Sequence, residues 1–272
     1  MYFIATRYHR ADGPQTAPDI NKIQKMAETP KEMDIAVYYI KFSDSDAFLV
    51  REIHRVPYTE DGPRAAVNEL INGSPKTPGA AKVLPAGTKT LGIKINDGLA
   101  TVNFSKEVLN ANVGTAGESL GIQSIVNTLT EFPNIKEVSF QVEGKTEGRV
   151  KDWWGHVGLY DQPFKRYLEK VYYPAVWVTH PVAGQAAGVP LLIKGSARVF
   201  EGRVNARLLD ESGKKIAEGS ATATQGAPGR GDFEIKITYK PPGKGKGTLE
   251  VFWNSPKDGS AQDIVKIPIQ WP

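Results

Sequence analysis

Residues 91–104, LGIKINDGLATVNF, decide the reading of this chain. Two apolar runs flank Asp97-Gly98, and a type I′ hairpin turn needs positive φ at both central positions, which Asp-Gly supplies at low cost. The stretch therefore predicts a tight β-hairpin. Working outward, residues 115–132 read TAGESLGIQSIVNTLTEF. Thr115 and Glu118 stand at capping-box spacing, where each side chain satisfies an amide of the first helical turn. Ile122, Ile125, Val126 and Leu129 form one apolar stripe at helical period. Pro133 ends the helix, because a proline pushes its predecessor out of the α region. Val138, Phe140 and Val142 then alternate with Glu137, Ser139 and Gln141, as in a strand with one wet face. Residues 91–144 thus predict a compact α+β unit holding no catalytic group.

Upstream, residues 35–42 (IAVYYIKF) and 47–56 (AFLVREIHRV) predict a second hairpin across the polar residues 43–46. Pro63 suits the first turn of a helix whose apolar face is Ala66, Val67, Leu70 and Ile71, with Asn72-Gly73 as its end. The order β, β, α, β-hairpin, α, β predicts helices laid on one face of a mixed or antiparallel sheet. Residues 1–34 are polar and proline-broken and are expected to be a weakly ordered leader.

Downstream, residues 161–174 read as a linker carrying a short helix over 164–172. From residue 175 only strand signals remain, among them PLLIKGSARVFEG (190–202), GDFEIKITYK (231–240) and DIVKIPIQW (263–271). About seven short strands separated by Gly- and Pro-rich turns predict an all-β immunoglobulin-like sandwich over 175–272. Pro268 places the last strand at an edge or bulge.

The totals exclude several classes. The chain has 272 residues, a net charge of +4 and no cysteine, so disulfides, thiolate metal sites and a cysteine nucleophile are ruled out. No apolar run reaches the roughly 18 to 20 residues that a membrane-spanning helix needs. Lys and Arg are spread among nearly as many acids, and Lys240, Lys244 and Lys246 sit in a Pro/Gly loop. No nucleic-acid partner is expected.

The quoted residues resemble a known family. AAVNELINGSP (65–75), LPAGTKTLGIKINDGLATVNFSKEV (84–108), GESLGIQSIVNTLTEFPNIKEVSFQVEGK (117–145) and GHVGL (155–159) are similar to a GerM-type (GerMN) sporulation and spore-germination domain, here placed at 35–160. HPVAGQAAGVPLLIKGSARVFEG (180–202), GDFEIKITY (231–239) and VFWNSPKDGS (251–260) resemble the immunoglobulin-like domain that follows it in bacterial spore-germination proteins. The resemblance implies an extracytoplasmic, non-enzymatic protein of the cell envelope, lipid-anchored or secreted in its natural precursor. It also implies likeness to the ring-building modules of envelope assemblies. Docking to a protein partner or self-association is the expected role. Membrane contact is expected only through an anchor that this chain does not show.

Catalytic constellations are absent from the sequence. The four histidines, His9, His54, His156 and His180, lie at no metal-ligand spacing, and there is no H-E-x-x-H, G-x-S-x-G or P-loop. No catalytic, cofactor-binding or metal-binding residue is assigned. His54 is expected to face solvent from its strand. His156, beside Trp153-Trp154 and near Asp152, is read as packed or capping, with a general base as the competing role. Asp44 and Asp46 fall short of a calcium loop and are assigned to a solvated turn. The partner-binding candidates are Leu120, opposite the apolar stripe on its helix, and Trp153 and Trp154, which either anchor the domain junction or form an exposed hot spot. A peptidoglycan- or carbohydrate-binding module using Trp153, Trp154 and Trp253 is the alternative reading.

Overall fold

A computed structural model describes residues 31–111, 114–153 and 158–272 of the chain. Strands β1 (Glu32–Phe42) and β2 (Ala47–Pro57) form the expected antiparallel hairpin, paired along their whole lengths. β1 begins before residue 35, so the end of the expected leader is strand. Helix α1 (Gly62–Asn72) starts where Asp61 accepts from the Arg64 amide at 3.2 Å, with Pro63 in its first turn. β3 (Ala80–Ala81) adds two residues beside β1. β4 (Thr90–Asn96) and β5 (Leu99–Phe104) form the hairpin that decided the reading. Its turn residues Asp97 and Gly98 have φ of 49° and 88°, the two positive values that the Asp-Gly pair predicts.

Helix α2 (Gly114–Leu129) carries the chain to β6 (Glu137–Val142), which runs parallel to β5. The predicted capping box falls on Thr115, whose side chain lies outside the described residues. The two helices do not lie on one sheet. The domain has two four-stranded sheets, β3-β1-β2-β8 and β4-β5-β6-β7, with β7 at Phe164–Lys165 and β8 at Val171–Tyr173, and the helices pack between them. α1 meets β1 and β4; α2 meets α1 and strands of both sheets.

The short helix expected over residues 164–172 is not there. That segment forms β7 (Phe164–Lys165), antiparallel to β6, and β8 (Val171–Tyr173), parallel to β2. An exposed sheet edge is a template for pairing, and here the linker completes one edge of each sheet. Pairing to distant strands overrides the local pattern of apolar residues.

The second domain is the expected immunoglobulin-like sandwich. β9 (Val176–His180), β10 (Leu191–Ala197) and β13 (Gly231–Ile237) make one sheet, in the order β13-β10-β9. β11 (Arg203–Asp210), β12 (Lys215–Thr222), β14 (Lys246–Asn254) and β15 (Ala261–Gln270) make the other, in the order β12-β11-β14-β15. Ile193, Leu208, Phe233, Ile235, Leu249 and Trp271 fill the space between them. Pro268 lies in β15, at an edge as predicted, where its missing amide breaks no inner ladder. Gly195 sits at a bulge of β10, and a Cβ there would come within 1.9 Å of the Trp177 carbonyl oxygen. Only glycine fits so close to a neighbouring backbone.

Candidate docking surface and domain junction

Two of the three predicted contact residues are in the core. Leu120 is 6% exposed and packed in the first domain's cluster. A helix between two sheets is covered on both faces, so a residue opposite its main stripe is still buried. Trp153 is 2% exposed. Its ring meets Phe140 edge-on at 5.4 Å and Phe104 at 5.7 Å, and its indole N–H donates to the Val108 carbonyl at 3.2 Å. It therefore fills the first domain rather than the junction or the surface. Trp154 and His156 lie outside the described residues. Trp253 is half-buried, and its indole N–H donates to Asp263 at 2.7 Å.

His54 does not face solvent either. It is 3% exposed, with Nδ1 at 2.7 Å from Glu69 of α1 and Nε2 at 2.8 Å from Glu52. Glu52 also accepts the amides of Lys76 and Thr77, each at 2.7 Å, and so ties the loop after α1 to β2. Burial opposes the charge on Glu52. The Lys76 and Thr77 amides and His54 outweigh it and hold the carboxyl below the usual range. Asp46 is likewise more than a solvated turn residue, since it pairs with Lys170 at 3.2 Å and accepts from the Tyr172 hydroxyl at 2.7 Å. Among the described residues no three His, Asp or Glu side chains converge to hold a metal ion.

The junction between the domains is built from residues that the sequence did not single out. Trp177, on the first strand of the sandwich, packs with the first domain's core. The Arg51 guanidinium lies 5.0 Å from its ring centroid and that of Arg230 lies 4.1 Å away. Tyr38 meets it edge-on at 6.2 Å. Arg230 donates to the carbonyls of Val171, Pro174, Ala175 and Ser196, which tie the linker to the sandwich. Burial first, then the charges of Arg198 and Arg51, pull its pKa down to about 10, so it stays charged at neutral pH.

Beneath this stack Glu131 collects three donors. Arg51 binds it in a fork at 3.2 and 2.9 Å, Arg166 reaches it at 2.5 Å, and the Tyr38 hydroxyl donates at 2.5 Å. Burial would raise the Glu131 pKa, but the two guanidiniums win and bring it to about 2. One carboxylate thus fixes a strand residue, a linker residue and, through Arg51, the Trp177 ring. The β-rich run Val176-Trp177-Val178 reads as a strand, yet nothing in it shows that Trp177 packs with the other domain.

One exposed apolar residue, Leu91, lies at the edge of the second sheet. Among the described residues β4 pairs with β5 alone, and no strand lies on its outer side. A bulge between Thr90 and Gly92 turns Leu91 outward, where it is 47% exposed. Ile93 and Ile95 are half-buried and line a cleft of about 630 Å³ together with Met33, Tyr58 and Phe132. The cleft wall also carries Thr59, Glu60, Asp61 and Asn134, so it is mixed in polarity. An accessible edge next to such a cleft suits strand addition, where the backbone supplies affinity and side-chain pockets supply choice. Lys94 and the bulge limit indiscriminate edge pairing.

Two family models match the two domains. Residues 36–148 match the model described as sporulation and spore germination. Residues 175–260 match the immunoglobulin-like domain of bacterial spore germination. The chain joins a GerM-type domain to an immunoglobulin-like domain. The GerM-type part is 34% identical over 121 residues to the spore germination protein GerM of Bacillus subtilis (strain 168), covering 42% of this chain and 32% of that protein. The chain thus spans about a third of that relative's length. The solved tandem GerMN domains of the sporulation protein GerM from Bacillus subtilis align at 26% identity over 53% of this chain and 50% of that one, with a TM-score of 0.43. The first GerMN domain alone aligns at 27% identity over 41% of this chain and 84% of its own, with a TM-score of 0.36. The chain is related to the GerM sporulation and germination proteins. Among its described residues no helix is long and apolar enough to cross a membrane.

Proposed function

We propose that this protein is a non-catalytic module of the bacterial cell envelope, outside the cytoplasm, that works by docking through its GerM-type domain. The observation that carries the reading is the β4 edge: an outer side unpaired among the described residues, an outward Leu91 and an adjoining cleft of mixed apolar and polar lining. The junction supports it, because Trp177 between two arginines and the Glu131 network make the sandwich a spacer of fixed direction. The buried fates of His54, Leu120 and Trp153 give these residues structural roles instead of chemical ones. The similarity to proteins named for sporulation and germination supports that setting. The partner is a second copy or another envelope protein.

Sedimentation velocity over a wide concentration range, with pull-downs from envelope extracts, tests the proposal. Wild type should self-associate or retain a partner, and Leu91→Asp combined with Tyr58→Asp, two exposed positions of the edge and its cleft, should abolish this while leaving the fold intact. A wild-type protein that stays monomeric and retains nothing, or a double variant that associates as wild type does, would end the reading.

A further inference from the structure

Where the sandwich meets the first domain, an open cleft of about 750 Å³ lies over the sheet β13-β10-β9. This volume falls within the roughly 300–1,000 Å³ of small-molecule sites. We infer that this cleft is a glycan-binding site for a neutral or amine-bearing sugar chain. The inference is independent of the docking proposed for the β4 edge.

The argument runs from what the cleft offers and what it withholds. Its backbone is unavailable, because β10, which forms its floor, is paired on both sides by β9 and β13. A peptide therefore cannot add as a strand over the floor. Its cations are already committed: Arg166 binds Glu131 at 2.5 Å and Lys194 binds Glu234 at 3.2 Å. The Asp232 carboxylate has neither a hydrogen bond nor an ion pair among the described residues, and it would repel phosphate or sulfate. What remains for a ligand is hydroxyl and carboxylate chemistry on an apolar bed. Among the described residues Thr222 brings an uncommitted hydroxyl, and Ser196 brings a buried one. Thr179 and Thr224 bring hydroxyls that also bond the Lys194 carbonyl at 3.2 Å and the Asp232 amide at 3.0 Å. Leu168, with the small exposed part of the core residue Phe233, brings the apolar contact. Sugars present the matching surface, with hydroxyls around apolar ring faces.

A second observation points to an absent ligand. Trp177 Nε1 and Ser196 Oγ, on two residues of this cleft, are buried and have no hydrogen-bond partner among the described residues. Trp177 and Ser196 are each 6% exposed. Native structures leave few such groups unpaired, and those that remain call for an unplaced partner. A sugar chain carries acceptors for the indole N–H and both donors and acceptors for the serine hydroxyl.

The test is a titration of the full chain, labelled with nitrogen-15, with the β-1,4-linked tetramer of N-acetylglucosamine, followed by amide and indole chemical shifts. Shifts should concentrate at the Trp177 indole and at the amides of Ser196, Thr224 and Asp232. Asp232→Asn with Thr222→Val, two exposed positions, should weaken binding by about tenfold or more, the order expected for losing hydrogen bonds to a charged group. The spectrum away from the cleft should stay unchanged and report an intact fold. Absence of shifts at these residues, equal affinity in the double variant, or tighter binding of heparin at the same signals would each overturn the inference.

Discussion

Glu131→Gln is the most informative single change in the first domain. The substitution keeps size and shape but removes the carboxylate bonded to both Arg51 and Arg166, at 2.9 and 2.5 Å. The magnitude follows from linkage. The Glu131 pKa falls from the ordinary 4.5 to about 2 in the folded protein. A depression of that size is worth about 3 kcal/mol at neutral pH, at 1.36 kcal/mol per unit. Losing one partner of a buried pair costs about 3–5 kcal/mol by comparison with other proteins, so the two routes agree. The sign is fixed by the direction of the shift. A depressed carboxylate pKa contributes stability that is present above the unfolded value and is lost as pH falls through the folded value. Wild type should therefore lose this contribution between about pH 5 and pH 2, and the variant should not. Urea unfolding by circular dichroism at pH 7, 4 and 2.5 measures it. The account expects a gap of about 3 kcal/mol at pH 7 that narrows on acidification. A gap below about 1 kcal/mol, the worth of an exposed pair, or one independent of pH, would refute the reasoning.

Two further outcomes follow from the same geometry. Trp153→Ala should cost about 3–5 kcal/mol, the range for removing a large buried aromatic, seen as a lower urea midpoint of the GerM-type domain. A change confined to partner binding would contradict its placement against Phe104 and Phe140. Trp177→Ala should uncouple the domains, so that unfolding separates into two transitions and small-angle scattering shows a wider spread of sizes. An unchanged scattering profile would mean that the arginine–tryptophan stack does not hold the junction.

Much of the fold was legible in local signals. Asp97-Gly98 named its own turn because positive φ at two positions restricts the residues allowed. Pro268 marked an edge because it lacks an amide. The period of Phe233, Ile235 and Ile237 gave a strand with one buried face. What was not legible depended on neighbours distant in sequence. The segment at 164–172 became two strands because β6 and β2 had free edges. Leu120 is buried because α2 lies between two sheets. His54 was open to a better reading: Val50, Glu52, His54 and Val56 share one face of β2 at period two, and all four are buried. That alternation placed His54 inward beside a carboxylate. The junction pairings of Trp177, Arg230, Arg51 and Glu131 had no such signal, since each lies far in sequence from at least one partner.

The β4 edge is tested most directly by hydrogen–deuterium exchange on the protein alone and in its assembled or partner-bound state. The account predicts new protection over residues 90–96, with lesser changes at Met33, Tyr58 and Phe132 around the cleft, and none on the outer strands of the sandwich. Protection that appears only elsewhere, with residues 90–96 exchanging as fast in the assembly as in the free protein, would contradict it.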